Sequence, residues 1–385
     1  MILDKYQYLT KIKLQNFRSY REIEINFSDK HVVFVGPNGS GKTNFLEAIS
    51  LLLPGRGIRS AKKDLLPLRN PFSQSISNEW AAHFSLQIEN RLKEISIGIK
   101  PNDNNNRQSR IYKVDGLVVK GKEISEFLSI NWLTPSMQNI IIGEESLRRK
   151  FFDRMICSLD PLHKSRINKL EKLGKERFKL IENQIRDETW FSVLEKEIAE
   201  LSIAIIVARQ NFTVKMDQVM SNPSNSFFPP VRILWTGMVE DLLVNMPALD
   251  VEENFANYLK IKRKEGIYSL FGPSNSILKI WFTKSGLTSE FCSTGQQKSI
   301  LVSIILAFSK LLSNLNNYHS FLLLDEVASH LDEKHFRALF EESLNVSSQI
   351  WMTGTNEVAF KKLENSSKLQ YFVINDSNIT QLVDM

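Results

Sequence analysis

The 385-residue chain is 42% hydrophobic and 24% charged, with 49 Lys and Arg against 43 Asp and Glu, a net charge of +6. Those are the proportions of an ordinary water-soluble globular protein with a sizeable core, and the mild basic excess permits nucleic acid without requiring it. Two cysteines, Cys157 and Cys292, rule out a disulfide framework and, with six histidines, show no metal-ligand spacing, so a reducing, cytoplasmic compartment is expected.

Met1 to Tyr6 has no basic and apolar pattern of a secretory signal, and the longest apolar stretch, Ile300 to Leu312, is broken by Ser303, Ser309 and Lys310 and is expected to be too short to span a bilayer, so no membrane is expected. Leu9, Ile12, Leu14 and Phe17 predict a first strand, and Glu22 to Phe27 alternates as its neighbour. His31 to Val35 is a short apolar strand. It runs into Gly36-Pro37-Asn38-Gly39-Ser40-Gly41-Lys42-Thr43, which reads G-x-x-x-x-G-K-T, and a helix from Asn44 to Leu53 follows, ended by Pro54. Glycines let backbone N–H groups close on phosphate oxygens at a helix start, Lys42 supplies a point charge, and the Thr43 hydroxyl suits Mg²⁺. Nucleotide binding is the expectation.

The basic turn Pro54 to Ser60 reads equally as a solvated loop or as a phosphate or DNA contact. Trp80–Ile88, Leu92–Ile99 and Arg110–Val119 predict three antiparallel strands, with a mobile hairpin tip at Asn102 to Asn106, and Trp132 to Pro135 a short strand. From Glu144 to about Met220 apolar positions recur at helical spacing, which predicts two or three helices broken near Pro161 and Asp187. Between Arg148 and Arg186 twelve Lys and Arg face five Asp and Glu, either a solvated face or a phosphate-facing one. Ser221 to Pro230 reads as a linker, Val231 to Trp235 as a strand, Phe255 to Lys264 as a helix, and β/α alternation is expected to resume from Ile277.

Phe321-Leu322-Leu323-Leu324-Asp325-Glu326 predicts a buried strand with two acids at its carboxyl end, where ligands sit in parallel sheets. Asp325 is the expected Mg²⁺-side acid and Glu326 the group that polarises the attacking water. Upstream, Cys292-Ser293-Thr294-Gly295-Gln296-Gln297-Lys298 precedes a helix over Ser299 to Leu312, with Ser293 or Thr294 as N-cap.

The order Ser-x-Gly-Gln-Gln, Leu-Leu-Leu-Asp-Glu, then Ala328-Ser329-His330-Leu331-Asp332 resembles ABC-type ATPases of the SMC-like DNA-repair branch, and most of all the RecF family. Leu14 to Tyr20, Asn44 to Ile49, Pro54 to Gly57, Leu133 to Met137, Arg148 to Asp153, Leu159 to Pro161 and Trp351 to Thr355 carry the likeness. It departs at Gly272-Pro273-Ser274-Asn275, where such chains usually have Gly-Pro-His-Arg, and Thr353 stands where transporter-type relatives have a switch histidine. The resemblance implies an α/β ABC-type (SMC-like) head with mixed sheets, built from 1–143 and 266–385, with a mainly helical lobe, 144–265, inserted in it.

It further implies ATP and Mg²⁺ as cofactors, a slow DNA-dependent ATPase, and an ATP-dependent homodimer. Ser293 to Gln297 of one copy would meet the nucleotide of the other, Ser329 and Asp332 would form the D-loop, Thr353 the switch, and Gln138 a further Mg²⁺ contact. Duplex and gapped DNA, RecR and RecO are the implied partners, in DNA damage repair, replication restart and the SOS response. Rival readings are a kinase, which would need an acceptor site and no Ser-x-Gly-Gln-Gln; a transporter subunit, which would need an aromatic stacking residue before the loop, a part Phe17 or Tyr20 could supply, and a switch histidine, which is missing; and an SMC-type structural clamp, which would need a far longer central insert.

Overall fold

The computed structural model describes residues 6–68, 79–100, 109–221, 226–267, 269, 271–316, 319–355, 357–363 and 366–382. The expected hairpin tip at Asn102 to Asn106, residues 222–225 of the expected linker and the first five residues of the N-terminal segment lie outside the described residues. The described chain forms two compact units. One takes Met1–Met137, Asn225–Phe227 and Ile304–Met385; the other takes Gln138–Ser224 and Phe228–Ser303.

In chain order the first unit opens with β1 (Gln7–Phe17), β2 (Tyr20–Asn26), β3 (His31–Val35) and α1 (Lys42–Ser50). There follow β4 (Ala81–Ile88), β5 (Arg91–Lys100), β6 (Ser109–Val114), β7 (Leu117–Val119), the single turn α2 (Gly121–Ile124) and β8 (Ile130–Leu133). The second unit holds α3 (Gln138–Ile142), α4 (Glu145–Leu159), α5 (His163–Glu182), α6 (Glu188–Ser221), β9 (Val231–Thr236), α7 (Met238–Asn245), α8 (Ala248–Lys264), β10 (Ile277–Phe282) and β11 (Leu287–Thr288). Helix α9 (Thr294–Asn316) begins among the residues of the second unit and ends among those of the first. The first unit closes with β12 (Ser320–Leu324), α10 (Val327–His330), α11 (Glu333–Leu344), β13 (Ser347–Gly354), α12 (Val358–Lys361), β14 (Leu369–Asn375) and β15 (Asn378–Leu382).

Two six-stranded sheets build the first unit. One is antiparallel, in the order β2-β1-β4-β5-β6-β7. The imperfect alternation of β1 has a cause: a bulge between Leu9 and Lys11 resets the register so that Leu9, Ile12 and Leu14 all face inward. The expected third strand, Arg110 to Val119, is instead two strands. Asp115 (φ 50) and Gly116 (φ 83) both take left-handed conformations, the geometry of a tight type I′ hairpin.

The other sheet has the order β15-β14-β3-β13-β12-β8, parallel except at its β15 edge. Strand β12 lies between β13 and β8 and every residue in it is buried, which is why it reads as an unbroken apolar run. Phe27, Phe34, Phe45, Trp351 and Phe372 form the aromatic centre behind β3. Helix α1 stops at Ser50, ahead of the expected end at Leu53. The Ser50 hydroxyl donates to the Glu47 carbonyl and accepts from Ile58 N–H, so the turn closes before Pro54 is reached.

The second unit has helices as the periodicity predicts, with α4, α5 and α6 separated at Pro161 and before Glu188. Leu170, Leu173, Phe191, Ile198, Phe255 and Leu259 belong to its core. Beside it, Asp153 accepts two hydrogen bonds from Arg209 (2.9 and 2.8 Å) and one from His163 Nε2 (2.9 Å). Burial pushes the Asp153 carboxyl up, but those hydrogen bonds outweigh it and hold it below the usual range.

The expected boundary at 265/266 does not divide the described residues: residues 271–303 belong with the helices. The cause is a pairing that local pattern does not reveal. Strand β10 is antiparallel to β9, from Ile277↔Thr236 to Phe282↔Val231, and β11 completes a small separate sheet. Parallel α/β order resumes only with β12. Helix α9 also exceeds the expected Ser299–Leu312. Its Thr294–Leu315 stretch has the length and composition to cross a membrane, correcting the sequence reading of it as too short, although 67% of its most apolar window is buried inside the protein as in a core helix.

Candidate nucleotide site

Three parallel strands end side by side. The loop after β3, the acids after β12 and Thr353 near the end of β13 therefore converge, because β13 pairs with both of its neighbours. Gly36 fits only without a side chain: a Cβ there would lie 2.2 Å from the Ile374 carbonyl oxygen. Gly41 (φ 112) takes a conformation L side chains avoid, just ahead of α1, and its carbonyl accepts a hydrogen bond from Tyr20 Oη at 3.0 Å. The Ser377 N–H, in the tight β14–β15 turn, donates to Ser40 O at 3.1 Å. The loop is thus held from both sides, while the Ser40 hydroxyl is buried within it without a hydrogen-bond partner.

Lys42 is 3% exposed. Its Nζ donates to Gly36 O (2.8 Å) and Pro37 O (2.9 Å) and stands 3.6 Å from Glu326 Oε1. Thr43 Oγ1 donates to Asp325, 2.9 Å from Oδ1 and 3.1 Å from Oδ2. The fully buried Thr353 hydroxyl donates to Asp325 Oδ1 (2.8 Å) and accepts from Glu326 N–H (2.8 Å), so one side chain orients both acids. Glu326 has φ 50, a left-handed conformation costly for a non-glycine residue and tolerated where surroundings fix it. Burial pushes the Asp325 carboxyl above the usual range; the Thr353 and Thr43 hydrogen bonds pull it back, and neighbouring Glu326 adds to the rise.

The donor set fits Mg²⁺. A hydroxyl and a carboxylate in contact are hard oxygen ligands, and Mg²⁺ usually takes one or two carboxylates and fills its shell with water and phosphate oxygens. Among the described residues no group of three or more His, Cys, Asp or Glu could hold a metal ion alone.

Two further groups border this cluster. Arg59 Nη1 donates to Asn44 Oδ1 at 2.7 Å, and its charge acts to lower the Asp325 carboxyl. The expectation covered Arg59 only within a basic turn. Arg18 makes a two-pronged pair with buried Glu47, 2.7 Å on each prong, which ties the β1–β2 turn to α1. Spacing along the chain gives no hint of that pair. Phe17 and Tyr20 are both buried, packed edge-on against Trp80 and Phe45, so neither offers the exposed face a transporter-type reading needs.

Ser293 is the N-cap of α9 in a reciprocal capping box: Gln296 N–H donates to Ser293 Oγ (3.3 Å), and Ser293 N–H donates to Gln296 Oε1 (2.8 Å). Gln297 turns back to the Ser289 and Cys292 carbonyls. Thr294 and Gly295 are exposed, and a Cβ at Gly295 would meet nothing within 4 Å. Exposed Ser329 donates to Glu326 O at 2.7 Å, and Asp332 caps α11 through His335 N–H at 3.0 Å. Gln138 opens α3 in the second unit. Ser274 and Asn275, in the loop that departs from the family pattern, are exposed.

The family model for the RecF/RecN/SMC N terminal domain matches residues 8–374. The DNA replication and repair protein RecF of Rhizobium rhizogenes is 33% identical over 384 residues, covering 97% of this chain and 98% of that one. RecF of Rickettsia akari is 33% identical over 369 residues, covering 94% and 98%. Among solved structures, the recombination mediator RecF-ATPrS of the RecFOR pathway superposes with TM-score 0.82 at 22% identity, covering 99% of each chain. The Smc head domain from Pyrococcus furiosus, bound to the C-terminal domain of ScpA, gives 0.51 at 16%, covering 98% and 96%; these two establish the fold.

Proposed function

The chain belongs to the RecF/RecN/SMC family as a RecF-type member, and from that premise we propose that two copies close on DNA when ATP binds and part when it is hydrolysed. Membership carries a DNA recombination and repair role, ATP binding with hydrolysis, and DNA binding with dimerisation in general terms. The observation that carries the finer reading is the cluster in which Thr43, Asp325, Thr353 and Glu326 are joined by hydrogen bonds and Lys42 by an ion pair to Glu326. The loop N–H groups and Lys42 bind the β- and γ-phosphates. Glu326 takes a proton from the water whose oxygen attacks the γ-phosphorus, and ADP leaves. Thr43 and Asp325 would hold Mg²⁺, which would supply neutralising charge to the phosphates.

The second half of the site comes from the other copy. The α9 N-terminus, with exposed Ser293, Thr294 and Gly295, is an anion-binding helix start. Among the described residues nothing lies within 4 Å of where a Cβ at 295 would stand, which leaves the position open to a group approaching from outside. DNA faces the lysines of α5. Lys164, Lys172, Lys175 and Lys179 are all exposed, at spacings that share one helix face, whereas Arg177 is paired internally with Glu195 and Arg166 with Asp160. Gapped DNA, slow turnover, a cytoplasmic location and partnership with RecR and RecO complete the proposal by family likeness.

Solution mass by light scattering tests it. The protein should pass from monomer to dimer with ATP, more so with duplex DNA, and a mass that ignores ATP would undo the contact between copies. Gly295→Asp sharpens the test. An acid in the first helical turn suits the helix dipole, so the fold should hold. The same charge would repel the other copy's γ-phosphate, so ATP should still bind the monomer while the dimer is lost. An ATP-driven dimer that survives Gly295→Asp places the contact elsewhere.

A further inference from the structure

The outward face of the β9–β10–β11 sheet has a composition the ATP cycle does not use. Alternation along the strands puts Arg232, Leu234 and Thr236 of β9 on that face, with Ile277, Lys279 and Trp281 of β10. The register sets Arg232 opposite Trp281, Leu234 opposite Lys279 and Thr236 opposite Ile277. Leu234 is 40% exposed and Ile277 45%, so the face carries apolar surface between its cations. No carboxylate occurs among these six positions, and another cation, Lys284, stands in the turn after β10. Asp217 of α6 acts on this face through Arg232: its carboxyl is pushed up by its own burial and drawn back down by Arg232, while Glu145 Oε2 accepts from the β10 backbone at Leu278 N–H.

An aromatic ring on a central strand, flanked by cations and apolar surface, suits a ligand with flat apolar faces joined by anions. Unstacked bases on a phosphate backbone have that chemistry; duplex DNA hides its base faces and offers phosphates alone. We infer that this sheet face is a stacking platform for single-stranded DNA, with Trp281 against a base and Arg232 and Lys279 against flanking phosphates. The inference rests on the DNA-binding reading and extends it: the single strand beside a duplex is held by the second unit's sheet, separately from the α5 lysines.

The test compares two probes with the full chain and ATP, a blunt duplex and the same duplex carrying a single-stranded thymidine extension. The wild type should bind the extended probe more tightly. Trp281→Ala should weaken binding to the extended probe roughly 5- to 150-fold, the range for one lost base–aromatic stack, and leave the blunt duplex unchanged. Trp281→Phe should keep most of the preference, and Lys279→Ala should reduce both the preference and its salt dependence. Equal losses on both probes, or no change on either, would overturn the platform. So would a change in solution mass with DNA binding intact, which would mark the face as a protein contact. If the wild type binds blunt duplex but gains nothing from the extension, the platform alone fails. If it gains from the extension but never closes on blunt duplex, the parent reading fails and the platform stands.

Discussion

Glu326→Gln is expected to slow ATP hydrolysis by roughly 10²- to 10⁴-fold, the usual worth of a positioned general base, and to accumulate an ATP-bound dimer. The substitution keeps the side-chain length and removes the basic oxygen pair. What fixes residue 326 is its backbone: the N–H bonds Thr353 Oγ1 at 2.8 Å, and the left-handed φ of 50 comes with the turn into α10. Gln keeps both features, and Asp325 keeps its bonds from Thr43 and Thr353, so nucleotide and metal binding should survive. The variant then stops the cycle after closure. Phosphate release and light scattering on one sample check this. Hydrolysis at the wild-type rate would remove Glu326 as the base, and a variant that stays monomeric with ATP would remove the two-copy sandwich.

The features legible in the sequence are those whose information is local. The Gly36–Thr43 loop, the β12 run ending in Asp325 and Glu326, and the three helices from Glu145 to Ser221 are each announced by neighbouring residues or a short period. What was illegible depends on contacts distant along the chain. Strands β9 and β10 are separated by two helices yet pair, and that pairing carries residues 271–303 into the second unit. Helix α7 is eight residues long, too short for a period to stand out. Thr353 looks from the sequence like a residue at a switch position. Only the adjacency of β13 and β12 shows that its hydroxyl is committed to Asp325 and to the Glu326 backbone. Two further features are local: Asp115-Gly116 is a hairpin turn pair, and Ser293 with Gln296 is a capping box.

Lys42→Met should reduce ATP affinity by at least about 100-fold, because on the proposed reading the ammonium would make charge-assisted contacts with two phosphates, each worth roughly 1.5–3 kcal/mol. The side chain's position strengthens the case. Lys42 is buried, and its charge is balanced by two loop carbonyls and by Glu326 at 3.6 Å, all of them groups at the phosphate site itself. A bound nucleotide would therefore draw the ammonium from the two loop carbonyls to phosphate oxygens, without breaking another Lys42 hydrogen bond among the described residues. Met fills a similar volume and leaves the Gly36 and Pro37 carbonyls at a loop that stays held by Tyr20 and Ser377. Thermal stability without nucleotide should accordingly change little, while the rise in Tm that ATP confers on the wild type should vanish. Titration with a fluorescent ATP analogue measures the affinity directly. Unchanged affinity would show that the phosphates lie somewhere other than the Gly36–Thr43 loop, and the assignments of Thr43, Asp325 and Glu326 would fall with it. A lost affinity accompanied by a collapsed apo Tm would instead make Lys42 a structural cation of the loop.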